Sequence, residues 1–268
     1  MATIHPSAIV GSDVELAGDV EVGPYCILSG RIRIGAGSVI KAHSVLEGTL
    51  RMGEGCVVGP GAYVGLAPQH LKYRGEPTLC VIGDRVVIRE TATVHRSFHP
   101  GEEHATRIGD RCFLMAASHV GHDTVLGNDV TMANASMCGG HVSVGDNAFL
   151  GGGCIFHQFV RVGRLAIVAG NEGLNRDIPP FAAVRFDGLK AYNAIGLRRA
   201  GLGQPAIHAI RQAYQRIHTH RNMERALAAI RGEVEQTKEV VELLEFIETG
   251  KRGILPSYRF VKGGVGED

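Results

Sequence analysis

The chain has 268 residues, 44% of them apolar, and its 28 basic side chains against 27 acidic ones leave a formal net charge of +1. That supply of apolar residues is enough for a real core. No apolar run approaches membrane-spanning length, and the charge balance argues neither for nor against a polyanionic partner. The 37 glycines and the absence of tryptophan fit a thin interior with recurrent tight corners.

The opening stretch, MATIHPSAIVG, has neither a basic n-region nor an apolar h-region, so a cytoplasmic protein is expected. A six-residue rhythm begins at once. Ile4, Val10, Leu16, Val22, Leu28 and Ile34 fall on one beat, which runs on to Val64 and returns at Ile82, Ile88 and Val94. It then continues from Ile108 to Leu174. Hexapeptide periodicity predicts a parallel β-helix, short strands wrapping into stacked triangular coils, over residues 1–185. Two stretches break the beat with Pro, Gly and charge: residues 66–81 (LAPQHLKYRGEPTLCV) and 97–107 (SFHPGEEHATR). Loops extruded from a solenoid are where function concentrates.

Cys26, Cys56, Cys112 and Cys154 each follow a beat residue by four, in a slot filled elsewhere by Ala, Val or Ser. Cysteine serves there as a small inward hydrophobe, and no CxxC pair exists to suggest a disulfide framework or a Cys-based metal site. After Asp177 the repeat ends, and residues 186–268 are expected to form a small C-terminal helical domain. Ile207, Ile210, Tyr214 and Ile217 trace one apolar stripe; Leu227, Ile230 and Val234 a second; Val240, Val241, Leu244 and Ile247 a third. Pro205 suits a first helical turn, and Gly250 and Gly253 suit a helix end.

If three hexapeptides make one coil, residues eighteen apart stack at roughly 4.8 Å. Gly121-His122-Asp123 then lies under Gly139-Gly140-His141, which lies under His157-Gln158-Phe159. None of these histidines occupies a beat position, so they are expected to point out of the prism, toward solvent or another subunit. Such a column suits two chemistries: neutral histidine as a general base, or several histidines holding zinc.

Six ordered segments, SHVGHD (118–123), GGHVSVGD (139–146), HQF (157–159), PQHLKYRGEPT (68–78), IRETATVHR (88–96) and NAIGLRRAG (193–201), resemble the acyl-ACP–UDP-N-acetylglucosamine O-acyltransferases of lipid A biosynthesis. The resemblance runs nearly end to end. It implies a left-handed parallel β-helix, a homotrimer with active sites between subunits, and no cofactor or metal. It also implies acyl carrier protein and a UDP-sugar as partners, with no nucleic acid and no integral membrane segment. His122 matches the general base that deprotonates the sugar 3-hydroxyl as it attacks the thioester of a 3-hydroxyacyl chain. Asp123 matches the residue that orients this imidazole, and Gly140 the backbone N–H that stabilises the oxyanion. His95, His119, His141, His157 and Gln158 match substrate-positioning residues, as do Gln69 and Lys72 in the first loop. Asn193 and Arg199 match residues holding the nucleotide. Gly170 matches the position that limits the acyl cavity.

Two departures stand out. His70 replaces an aspartate usual in the first loop, which opens a 3-amino UDP-sugar as an alternative acceptor. Ile195 replaces an acidic residue usual in the tail motif. Arg161, Arg164, Arg185, Lys190, Arg211 and Arg216 are candidates for a basic surface toward the acidic carrier. Three competing readings are a β-helix zinc carbonic anhydrase, another hexapeptide acyltransferase using CoA thioesters, and a non-catalytic trimeric scaffold. The first is disfavoured because His119 and His122 are three residues apart, whereas its ligand pair sits five apart.

Overall fold

The computed structural model describes residues 1–186 and 188–257. It is a parallel β-solenoid whose three faces are sheets of 11, 9 and 8 short strands, followed by four helices. Within the coils, consecutive strands in the chain belong to different sheets. Strands one coil apart pair in parallel, Thr3 with Glu21 and Phe113 with Thr131, eighteen residues apart as the rhythm demands.

The register lengthens at two places. Val57 pairs with Val87, thirty residues on, and Thr93 pairs with His119, twenty-six residues on. The first excess, 30 − 18 = 12, equals residues 67–78 between the strands Tyr63–Leu66 and Leu79–Ile82. The second excess lies between Thr93–His95 and Thr106–Ile108 and carries a 3-10 turn at Glu102–His104. Both loops are therefore shorter than the broken beat suggested. Leu66 and Leu79–Val81 belong to strands, as do Thr106 and Arg107, because backbone pairing with neighbouring coils continues where the apolar beat does not.

Beat residues fill the prism: Leu28, Leu46, Leu114, Val120 and Leu150 are fully buried. Each such side chain contributes roughly 1.5–3 kcal/mol by burial. The first coil is the exception, with Ile4 at 43% exposure, because no coil lies beneath it. All six cysteines are buried, and burial pushes the Cys80 and Cys138 thiols up to about 12.

The corners explain how a flat repeat can hold adjacent side chains on one side. Asp123, His141 and Phe159 adopt φ of 57°, 60° and 65°, one above another at eighteen-residue spacing. Left-handed backbone costs a non-glycine residue about 1–2 kcal/mol and turns its side chain off the strand's alternation.

At the C-terminal end the strands Ala182–Arg185 and Gly188–Tyr192 form an antiparallel hairpin, and helices follow: α1 (Ala194–Arg199), α2 (Gln204–Thr219), α3 (Met223–Glu233) and α4 (Lys238–Glu248). The predicted stripes of α2 and α4 are buried except Val241, which is 39% exposed. Pro205 sits in the first turn of α2. Gly250 is not a left-handed cap: a Cβ there would meet the Arg161 guanidinium at 2.5 Å, so a side chain would push that guanidinium aside. That guanidinium donates to Asp177 at 2.7 Å and to the Phe246 carbonyl at 2.6 Å, tying the last coils to α4.

Candidate active site

The site forms where the two extruded loops fold back over one corner of the prism. His122 leaves the coil outward, yet only 7% of its side chain is exposed. The imidazole points out of the prism as expected, but the chain's own loops cover it, so it faces neither open solvent nor a bare surface for another subunit. His70 from the first loop meets it edge-on at 5.5 Å between ring centroids, and Phe98 from the second loop lies at 6.2 Å. His70 and Phe98 pack on each other at 3.9 Å, so the two loops close over the histidine together.

Its Nδ1 lies 2.6 Å from Asp123 Oδ2. The same oxygen accepts the Phe98 N–H at 3.0 Å, and the Asp123 N–H donates to the buried Thr106 hydroxyl at 2.8 Å. Burial pushes the Asp123 carboxyl up. The hydrogen bonds from His122 and Phe98, with the neighbouring imidazoles, outweigh this and hold it below the ordinary aspartate range. An ionised carboxylate can only accept, so His122 carries its proton on Nδ1 and leaves Nε2 as the free lone pair.

That free nitrogen faces Gly140. A Cβ at residue 140 would stand 2.6 Å from His122 Cε1 and 2.7 Å from Nε2, so any side chain would displace the ring. Glycine is required here for close approach rather than for backbone conformation. The coil stacking that predicts this neighbour is visible in the backbone: His141 N–H donates to the His122 carbonyl at 2.9 Å, and Phe159 N–H to the Gly140 carbonyl at 3.1 Å. Among the described residues the Gly140 N–H donates to nothing.

His141 closes a second side, 5.2 Å from His122 and stacked on Phe159 at 4.4 Å with 4° between the ring planes. Burial pushes its pKa down. His95 and His119 lie deeper, 5.3 Å apart. His95 is anchored to the Ala67 carbonyl at 2.6 Å and His119 to the Thr93 hydroxyl at 2.8 Å. Burial, reinforced by neighbouring imidazoles, lowers His95 and takes His119 down to about 4, so both stay neutral.

Several expected residues lie at the margin. Gln69, Lys72, His157 and Gln158 are exposed around the cleft. His157 Nδ1 lies 3.2 Å from an Arg252 nitrogen. Asn193 caps α1, accepting from Gly196 N–H at 2.9 Å and donating to the Leu165 carbonyl at 2.8 Å. Arg199 is exposed at the end of α1, next to the exposed Ile195 side. Neither Asn193 nor Arg199 shares in the contacts that join the histidines. Gly170 lines a separate apolar cavity of about 350 Å³ with Phe149, Gly152, Ile167 and Val184, with Arg185 and Lys190 at its rim. A Cβ at Gly170 would meet the Gly152 carbonyl at 3.0 Å, and the left-handed corner falls on Asn171 instead. Three candidate basic residues are already paired: Arg161 with Asp177, Arg164 with Glu242 and Arg216 with Glu233.

Sequence reasoning missed the residues that seat the loops. Arg96, beside His95, donates to the Tyr73 hydroxyl at 3.2 Å and to the Gly65 carbonyl at 2.7 Å. Tyr73 donates its own hydroxyl to the Glu76 carbonyl at 2.7 Å. Phe98, Thr106 and His99 also escaped notice. His99, His104 and Tyr73 stood in loops already marked as functional, so a signal existed; the pairing of Arg96 with Tyr73 carried none, because it joins residues twenty-three apart across a loop.

A family model described as UDP N-acetylglucosamine O-acyltransferase, domain 2, matches residues 177–255. An acyl-[acyl-carrier-protein]–UDP-N-acetylglucosamine O-acyltransferase of Thermodesulfovibrio yellowstonii is 39% identical over 257 residues, 95% of this chain and 99% of that protein. One from Alkalilimnicola ehrlichii is 41% identical over 258 residues, 95% and 100% of the two chains. The crystal structure of a UDP-N-acetylglucosamine acyltransferase from Bacteroides fragilis superposes with a TM-score of 0.89 at 32% identity, covering 94% of this chain and all of that one.

Proposed function

The chain belongs to the acyl-[acyl-carrier-protein]–UDP-N-acetylglucosamine O-acyltransferase family, and from that premise we propose that it moves a 3-hydroxyacyl chain from acyl carrier protein to the 3-position of a UDP-N-acetylglucosamine-type sugar. An alcohol is a poor nucleophile at neutral pH, and a base within hydrogen-bond reach is what the step needs. His122 Nε2 takes the hydroxyl proton as the oxygen attacks the thioester carbonyl. Asp123 holds the ring through Nδ1 and stabilises the imidazolium that forms. The Gly140 N–H donates to the developing oxyanion. On collapse of the tetrahedral intermediate the thiol of the carrier leaves, and the imidazolium returns the proton to it.

Desolvation supports this assignment. A base under His70 and Phe98 acts in a shielded pocket where preorganised donors count for more than in water. His141, His119 and His95 shape the acceptor site as neutral imidazoles that both donate and accept. The apolar cavity at Gly170 receives the acyl tail, and Asn193 and Arg199 are assigned to the nucleotide end, reached across a homotrimer interface. The protein works in the cytoplasm, where its carrier partner resides. No helix among the described residues is long and apolar enough to cross a membrane.

The observation that carries the proposal is the contact between Gly140 and His122 Nε2, with Asp123 on the other nitrogen. His122→Ala is expected to lose about 10²–10⁴-fold in kcat with the fold intact, as measured by acyl transfer and circular dichroism. Wild-type turnover in that variant would overturn the base assignment. His70 against His122, in place of the family's carboxylate, favours a second reading in which the acceptor carries a 3-amino group. Mass analysis of the product from an equimolar mixture of 3-hydroxy and 3-amino UDP-sugars decides between them.

A further inference from the structure

The buried cluster around Asp123 holds more donor capacity than the proposed reaction uses. Seven of the thirteen histidines, His70, His95, His99, His104, His119, His122 and His141, gather at this one corner. Within the group His122, Asp123 and His141 each offer a ligand atom, and the three atoms lie within 4.8 Å of one another. A second observation is independent of that spacing. Asp123 Oδ1 is buried and has no hydrogen-bond partner among the described residues, although only 6% of its side chain is exposed. A buried carboxylate oxygen left without a donor is unfavourable, and a cation would satisfy it.

We propose that His122, Asp123 and His141 form a site for a divalent transition ion of the zinc class, and that occupancy silences the catalytic base.

Two imidazoles and one carboxylate are a borderline-soft donor set. They suit zinc better than calcium or magnesium, which want oxygen ligands, and leave a position open for water. Tetrahedral bonds of zinc length put ligand atoms roughly 3.4 Å apart. His122 Nδ1 and His141 Nε2 lie 2.6 and 3.9 Å from Asp123 Oδ2, which brackets that value, and a turn of the carboxyl would present the donor-free Oδ1 to the same ion. Outer contacts are already in place: the Phe98 N–H on Asp123, and Phe159 stacked on His141. Entry runs past His99, an exposed imidazole 6.4 Å from His141 and 5.5 Å from His104. An ion on His122 Nε2 caps the base, and one on Nδ1, held with Asp123, displaces the Nδ1 proton and leaves the ring protonated on Nε2; either arrangement stops proton transfer. The binding half stands on this geometry alone, whereas the inhibitory half rests on the acyl-transfer reading.

Chelator-treated full-length protein is titrated with zinc chloride by calorimetry and with cobalt chloride by visible absorption. One ion per chain is expected, with the intense visible bands of low-coordinate cobalt. Asp123→Asn and His141→Ala should each weaken zinc binding by more than about tenfold, while His5→Ala, at an exposed position in the first coil, leaves it unchanged. No uptake from a molar excess, or uptake indifferent to both variants, overturns the site. If either variant lowers the melting temperature of the metal-free protein, the wild-type cobalt spectrum decides, an aquo-ion spectrum counting against. Acyl transfer should fall in step with zinc occupancy and return on chelation. Full turnover at full occupancy would overturn the inhibitory half and leave the binding half standing.

Discussion

The prism carries two ring pairs on its outer corners, and only one of them lies under loops. Tyr25 and His43 sit eighteen residues apart on left-handed corners, stacked at 5.1 Å with 13° between their rings. His122 and His141, nineteen residues apart on later coils, instead meet edge-on at 5.2 Å with 88° between their rings. The first pair is open, with Tyr25 61% exposed. The second lies beneath two loops that remove water, position a carboxylate and bring in His70 and Phe98. An aromatic rung on a solenoid is therefore commonplace. What makes a rung chemical is the cover extruded over it.

That contrast is broken most directly at Gly140. Gly140→Ala forces a methyl against His122 Nε2 and is expected to lower kcat by about 10²-fold or more without unfolding the coil. Unchanged turnover would mean that the close approach serves packing alone. The tail cavity gives the next largest effect. Gly170→Met should shift preference to shorter acyl chains, since each methylene excluded forfeits roughly 0.8 kcal/mol. Competition between acyl carriers of different chain length measures it, and an unaltered profile removes Gly170 as the limit.

The cover itself is tested at Tyr73. Tyr73→Phe deletes the hydroxyl that joins Arg96 to the first loop, worth about 1 kcal/mol. KM for the sugar should rise several-fold with kcat less affected, because His70 and Lys72 lose their seat while His122 keeps Asp123. A fall in kcat with KM unmoved would show that the loop acts on the base instead.

The smallest effect is on stability against pH. His95 and His119 have pKa values lowered by folding, His119 to about 4 from an ordinary 6.5. The unfolded chain binds their protons first, so their contribution is complete above about 6.5 and is lost as pH falls toward 4. The melting temperature should drop by a few degrees between pH 7 and 5. His119→Gln should flatten part of that slope; an identical slope would remove His119 as its source.

Much of the site was legible because the solenoid converts spacing into proximity. His122, Gly140 and Gln158 are neighbours by arithmetic, and the backbone pairing places them so. The Asp123 contact was harder, since a flat strand points adjacent side chains apart; the left-handed φ of 57° reconciles them. Phe98, Thr106, Tyr73 and Arg96 were not legible, because loops obey no period and their contacts depend on how each folds back.

The repeat alone determined the parallel coils, the stacking of every eighteenth residue and the buried beat, because a fixed period leaves one way to hide apolar side chains. Which outward rung becomes buried, which of Asp123's oxygens is left without a donor, and which arginines are already paired were decided only in three dimensions. Those outcomes depend on loop and helix packing between residues distant in the chain, and no periodicity encodes that.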